Sequence, residues 1–245
     1  MPIKSAFAST ALALTLCAGG SALFAADAKP DANGFVSIFN GTDLTGWEGM
    51  EGYWSVKDGV ISGHETKDKS KQTFLVYKSP VKNFELHLSF KFGAVDGKVE
   101  GNSGIQFRSK MMDPATFKVG GYQADFDAGN GYTGIIYDEA GGAGGRNIMS
   151  NRGEKTHWDA ENKRQNEKIT PGDAEIKAAI KVGDWNNVVL TVKGNHVVYQ
   201  INGLTTTDLT DDSPKAVAEG LLAFQLHAGF TMDIQFKDVL LKTLE

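Results

Sequence analysis

Cysteine is nearly missing from this chain. Its one cysteine, Cys17, sits in an apolar N-terminal run. An intramolecular disulfide is therefore excluded, and stability has to come from buried apolar surface. Basic clusters are missing as well. Lys+Arg total 25 against 30 Asp+Glu, a net charge of −5, with no basic stripe, which argues against nucleic acid as a partner. No long apolar segment follows the first one, so no membrane partner is expected for the mature chain. The sequence also lacks a His-Glu-x-x-His metal motif, a Gly-x-Ser-x-Gly nucleophile elbow, a phosphate loop and a dinucleotide fingerprint.

Aromatics are plentiful, with 14 Phe, 4 Trp and 6 Tyr to fill a core. Residues 1–26 read as a secretory signal peptide. A short basic start ending at Lys4 precedes the alanine-rich run Ala6 to Leu16, and a cleavage-like stretch covers Ala22 to Ala28. The run is shorter than the roughly 20 residues needed to cross a bilayer. A lipoprotein site at Cys17 is disfavoured, because Leu16 stands where a small residue is expected. The expected product is an exported protein, periplasmic or secreted.

Residues 34–245 read as a single all-β domain. Phe84 to Phe92 alternates apolar and polar residues without a break, as a half-buried strand does. Asp58-Gly59 between Trp54–Lys57 and Val60–Ser62 is a hairpin signal, and Lys193-Gly194-Asn195-His196 is a second. Met232 to Leu240 supplies a final alternating run. Many short strands with glycine-rich turns (29 Gly) predict an antiparallel β-sandwich. The exception is residues 140–183, glycine-rich and then densely charged, with a short helix expected over 173–180. A segment of this kind is expected to be a lid, a binding loop or disordered.

Three segments carry amides and ionisable groups at alternate positions: Asn102 to Ser109, Gly121 to Phe126 and Leu222 to Gly229. Alternation puts Gln106 with Arg108, Gln123 with Asp125, and Gln225 with His227 on one face each. Such a face suits a sugar. His227 reads as a general base or substrate ligand, with a hydrogen-bonded structural histidine as the bland alternative. Arg108 offers a fork of donors for an oxyanion, or else a plain ion pair. Asp125 and Glu139 are acid or base candidates; solvated loop carboxylates are the commoner explanation. Tyr137 shares a face with Glu139, and Asn102 opens the first segment. His64-Glu65 is a weaker candidate; His87, His157 and His196 read as solvated or turn residues. No cofactor is assigned, and a divalent metal held by dispersed Asp, Glu and His stays open.

The ordered set Gly34-Phe35, Asn40 to Trp47, Asp58 to Ile61, Asn102 to Ile105, Trp185-Asn186, Asn202-Gly203 and Gln225 to Gly229 resembles the 3-keto-disaccharide hydrolase family. The resemblance covers nearly all of the mature chain. It implies a concanavalin A-like jelly roll and an exported enzyme acting on glycosides oxidised to a ketone at C3. The charged segment 151–168 and the phenylalanines flanking Gln225 (Phe224, Phe230) depart from the commoner pattern. The chemistry of such substrates implies proton abstraction at C2, loss of the group at C1 and addition of water. In that scheme His227 is the base and Arg108 or a metal holds the enolate oxygen. Asp125 or Glu139 is the acid, and Gln106, Gln123 and Gln225 hold hydroxyls. A glycan-binding module without catalysis and a two-carboxylate glycosidase are the alternatives.

Overall fold

A computed structural model describes residues 29–245; the expected signal peptide and its cleavage site lie outside the described residues. The strands in chain order begin with β1 (Val36–Ser37), β2 (Trp47–Glu48), β3 (Trp54–Lys57), β4 (Val60–Glu65), β5 (Thr73–Val81) and β6 (Phe84–Gly93). β7 (Asn102–Asp113), β8 (Lys118–Asp127), β9 (Ile136–Glu139), β10 (Ile148–Ser150), β11 (Glu154–Trp158) and β12 (Arg164–Lys168) follow. After helix α1 (Asp173–Ala179) come β13 (Asn186–Lys193), β14 (His196–Ile201), β15 (Leu204–Asp211), β16 (Gly220–Leu226) and β17 (Met232–Thr243).

The strands form two sheets. The larger runs β12-β11-β15-β14-β13-β6-β17-β4-β3, with β1 added to β17; the smaller runs β10-β9-β8-β7-β16-β5-β2. This is the expected sandwich, antiparallel except where β11 pairs with β15. Both predicted hairpins form. Asp58 and Gly59 adopt φ of 52° and 78° between the paired Lys57 and Val60, the left-handed pair that a two-residue turn requires.

The layers meet through alternating aromatics. On β6, Phe84, Leu86, Leu88, Phe90 and Phe92 are buried. Phe90 stacks on Phe126 of the opposite sheet with ring centroids 4.1 Å apart. Phe224 stacks on Phe236 at 4.1 Å. Each such pair adds about 0.5–1.5 kcal/mol to the area it buries.

Two sequence expectations are corrected. Residues 140–183 are not a lid or a disordered insertion. They form β10, β11, β12 and α1, and β11–β12 extends the larger sheet. Arg164–Lys168 is an exposed, charged edge strand, so it shows none of the apolar alternation by which strands are read. Glu154 ties the hairpin together, accepting from Arg164 at 3.0 Å and Lys168 at 2.8 Å.

The second correction is local to β7. The register against β8 shifts between Phe107 and Lys110, and Arg108 takes a left-handed φ of 48°. A bulge of this sort resets the alternation. Ser109, not Arg108, then shares a side with Gln106, to whose Oε1 its hydroxyl donates at 2.7 Å.

Candidate functional site

The smaller sheet turns Ile105, Phe107, Tyr122, Ala124, Phe126, Leu222, Phe224 and Leu226 into the interlayer core. The residues between them face outward. The three polar segments lie on β8, β7 and β16, which are consecutive in the sheet. Tyr137 pairs with Gln123, Gln123 with Gln106, and Gln106 with Ala223. One row of the outer face thus runs across four strands.

A cleft of about 450 Å³ opens there, lined by Asn102, Gln123, Asp125, Tyr137, Glu139 and His227, with Tyr132 and Asn147 at its wall. Beneath it, Gln106 and Gln225 are fully buried. The Gln106 amide donates to Gln123 Oε1 at 2.5 Å and so fixes the Gln123 head group. Gly104 makes room: a Cβ there would stand 2.5 Å from Gln123 Cγ. Asn102 Nδ2 donates to Asp125 Oδ1 at 3.1 Å. Glu139 accepts from Gln72 Nε2 at 3.2 Å and from Gln225 Nε2 at 3.3 Å. Gln225 Oε1 is buried with no protein partner.

Electrostatics separates the two carboxyls from ordinary surface acids. Burial pushes the Asp125 carboxyl well above the usual carboxylate range, and the nearby charges of Asp127 and Glu139 push the same way against the Asn102 hydrogen bond. Burial also raises Glu139, opposed by His227, Lys118 and the two glutamine amides. Both are therefore held toward the neutral, proton-donating form. His227 follows the last residue of β16. Its Nδ1 lies 2.7 Å from the carbonyl oxygen of Ala228. A carbonyl only accepts, so Nδ1 carries the proton. In the neutral ring Nε2 is then left with a lone pair, the form a general base needs.

The structure thus brings together His227, Asp125, Glu139, Gln123, Tyr137 and Asn102 in one cleft. Gln106 and Gln225 support its floor from below and are not accessible to a ligand. Arg108 is not in the cleft, and the expectation that it holds an oxyanion is corrected. The bulge sends it to the end of the sandwich, where its guanidinium donates to the carbonyls of Lys82 (2.9 Å), Gly194 (2.7 Å) and Val217 (3.2 Å) and to Asn83 Oδ1 (3.1 Å). It holds three loops together and is 3 % exposed.

Sequence reasoning missed the loop between β4 and β5. Gln72 clamps Glu139, and its Oε1 accepts from the Ala228 N–H at 3.2 Å. Ser70 accepts from the Gly229 N–H and donates to Glu65 at 2.9 Å. This loop crosses between the sheets and staples the His227 turn in place. The only signal for it was His64-Glu65. Among the described residues no group of three His, Cys, Asp or Glu side chains is placed to hold a metal ion.

A family model described as the 3-keto-alpha-glucoside-1,2-lyase-like domain matches residues 34–242. No curated protein matches the chain. Among solved structures, a provisionally assigned glycosyl hydrolase from Parabacteroides distasonis is similar, with 20 % identity and a TM-score of 0.53 over 87 % of this chain and 95 % of that one. The carbohydrate-binding module CBM66 from Bacillus subtilis has 15 % identity and a TM-score of 0.54 over 81 % and 96 %. The exoplasmic/lumenal domain of VIP36 bound to Ca²⁺ and Man3GlcNAc has 10 % identity and a TM-score of 0.51 over 89 % and 91 %. At these identities the likeness is one of fold, and it covers a provisionally assigned hydrolase and carbohydrate binders alike.

Proposed function

The chain belongs to the 3-keto-alpha-glucoside-1,2-lyase-like family, and from that premise we propose that it cleaves 3-keto-α-glucosides, with His227 as the base. Its function is carbohydrate-related; the reaction is our reading of the cleft. The observation that carries it is the triplet in one hollow: an imidazole whose Nδ1 is tied to Ala228, and two carboxyls that burial holds toward neutrality.

A ketone at C3 acidifies the proton at C2. His227 Nε2 takes that proton, and the electron pair moves into an enolate with the charge on the C3 oxygen. Collapse of the enolate breaks the bond between C1 and its oxygen, leaving a C1–C2 double bond conjugated to the ketone. Asp125, held by the Asn102 amide, gives its proton to the departing oxygen. Glu139, clamped by Gln72 and Gln225, donates a hydrogen bond to the C3 oxygen, the job Arg108 is too distant to do. Asp125 then takes a proton from a water whose hydroxyl bonds to C1. His227, its proton exchanged with solvent, returns a proton to C2, and the 3-keto sugar leaves with both groups restored. A preset donor to a developing oxyanion is worth roughly 10²–10³ in rate.

A two-carboxylate glycosidase needs one of its acids ionised, and burial opposes that for both Asp125 and Glu139. The test uses a 3-keto-α-glucoside and its unoxidised parent, each with and without chelator. Release of the aglycone from the keto form alone supports the reading. Cleavage of the unoxidised form would support a conventional glycosidase, and binding without cleavage a glycan-binding module. Export is part of the same reading, supported by the run from Ala6 to Leu16; a mature N-terminus between Ala25 and Ala28 would confirm it.

A further inference from the structure

A second hollow, of about 410 Å³, also has His227 in its lining. Asn102, Tyr132 and His227 line both hollows. The proposed base therefore sits at their junction. If the oxidised ring occupies the polar hollow with C2 at His227, then C1 lies at the junction as well. The group on C1 then points into the second hollow.

That second hollow has few polar groups free to meet a sugar. Of its two carboxylates, Glu100 accepts from the Thr231 N–H at 3.2 Å. Asp127 accepts from the backbone N–H groups of Gly131 (3.1 Å), Tyr132 (2.6 Å) and Thr133 (3.1 Å). Asp127 is thus taken up by its own loop, which leaves Glu100 Oε2 and the Asn102 side-chain oxygen as the acceptors without a protein donor. What the walls offer is Val99, the ring of Phe230 and the ring of Tyr132. Phe230 meets His227 edge-on at 5.7 Å. Tyr132 is 55 % exposed, an aromatic ring left at the surface of a cleft. Seating a second sugar here would strip water from hydroxyls with little to replace it. A flat apolar ring would gain both burial and aromatic contact.

Resting on the function proposed above, we infer that the group released from C1 is an aromatic or similarly apolar alcohol, seated between Phe230 and Tyr132, and not a second sugar. A phenolic oxygen is also the better leaving group for the elimination step.

The test has a binding arm that is independent of catalysis. Affinities for phenyl α-glucoside and methyl α-glucoside are measured by calorimetry on the wild type and on Phe230→Ala and Tyr132→Ala. Tyr132 is exposed, so its variant should fold even if Phe230→Ala does not. The expected result is phenyl binding at least about tenfold tighter than methyl, or about 1.4 kcal/mol, with most of that preference lost in either variant. Equal affinities in the wild type, or a preference unchanged in both variants, would overturn the inference. The second arm compares cleavage of the 3-keto forms of phenyl α-glucoside and of an α-linked glucose disaccharide. A higher kcat/KM for the disaccharide overturns the inference while leaving the proposed reaction standing. Tight phenyl binding with no cleavage of either keto substrate overturns the reaction and leaves the apolar hollow standing.

Discussion

The protein has a larger hollow than its candidate site. It measures about 520 Å³ and lies on the outer face of the larger sheet, lined by Lys155, His157, Gln165, Glu167, Thr210 and Asp212. The cleft on the smaller sheet is about 450 Å³. Both hold a histidine and carboxylates, so volume and composition do not separate them. Burial does. His157 and Asp212 pair at 2.9 Å with side chains 44 % and 50 % exposed, and an exposed pair of this kind is worth about 0–1 kcal/mol. In the cleft, Asp125 is 6 % exposed, with burial the first cause of its raised pKa. A carboxyl whose pKa is raised keeps its proton at a pH where a solvated one has lost it.

The comparison can be broken most sharply at the two histidines. His227→Ala should lower kcat/KM on a 3-keto-α-glucoside by roughly 10²–10⁴, the usual worth of a positioned base. Full activity in that variant would remove the cleft from the account. Arg108→Ala should act on stability instead. Losing the donors to three partly buried carbonyls should cost roughly 3 kcal/mol, a fall in Tm of roughly 2–4 °C per kcal/mol in a chain of this size. The folded fraction should keep its kcat; a selective fall in kcat would return Arg108 to the chemistry.

Asp125→Asn should give a smaller, pH-dependent effect. A carboxyl whose folded pKa lies above its unfolded value stabilises the fold most below the unfolded pKa, near 3.8. That contribution is lost as pH rises through the folded pKa. Thermal unfolding of the wild type should therefore lose ground to Asp125→Asn as pH climbs from about 4 toward neutrality. Parallel curves would mean Asp125 ionises freely. The smallest effect belongs to the larger hollow: His157→Ala should leave kcat/KM within about twofold and Tm within about 1 °C, as expected for an exposed pair.

The sheets and the site were legible to different degrees, for physical reasons. β6 and β17 could be read because one face of each is buried and apolar. The turn at Asp58-Gly59 could be read because its left-handed backbone demands such residues. The polar face of β7, β8 and β16 could be read by the same alternation, and it led to Asp125, Gln123 and His227. Alternation failed at Arg108, where a bulge inserts a residue that no local pattern announces. It failed again at Arg164–Lys168, an edge strand with polar residues on both faces. Gln72 could not have been found, since its partners Glu139 and Ala228 are distant in the chain and only the crossing loop joins them.

The central claim is that His227 removes a proton from C2. The direct measurement is cleavage of a 3-keto-α-glucoside in D₂O, with the released sugar examined early in the reaction by mass spectrometry and NMR. Elimination followed by water addition predicts one deuterium at C2 in every molecule released by the wild type, at a rate that collapses in His227→Ala. Cleavage that leaves the original hydrogen at C2 and shows no primary isotope effect with a C2-deuterated substrate would contradict the mechanism and the role assigned to His227.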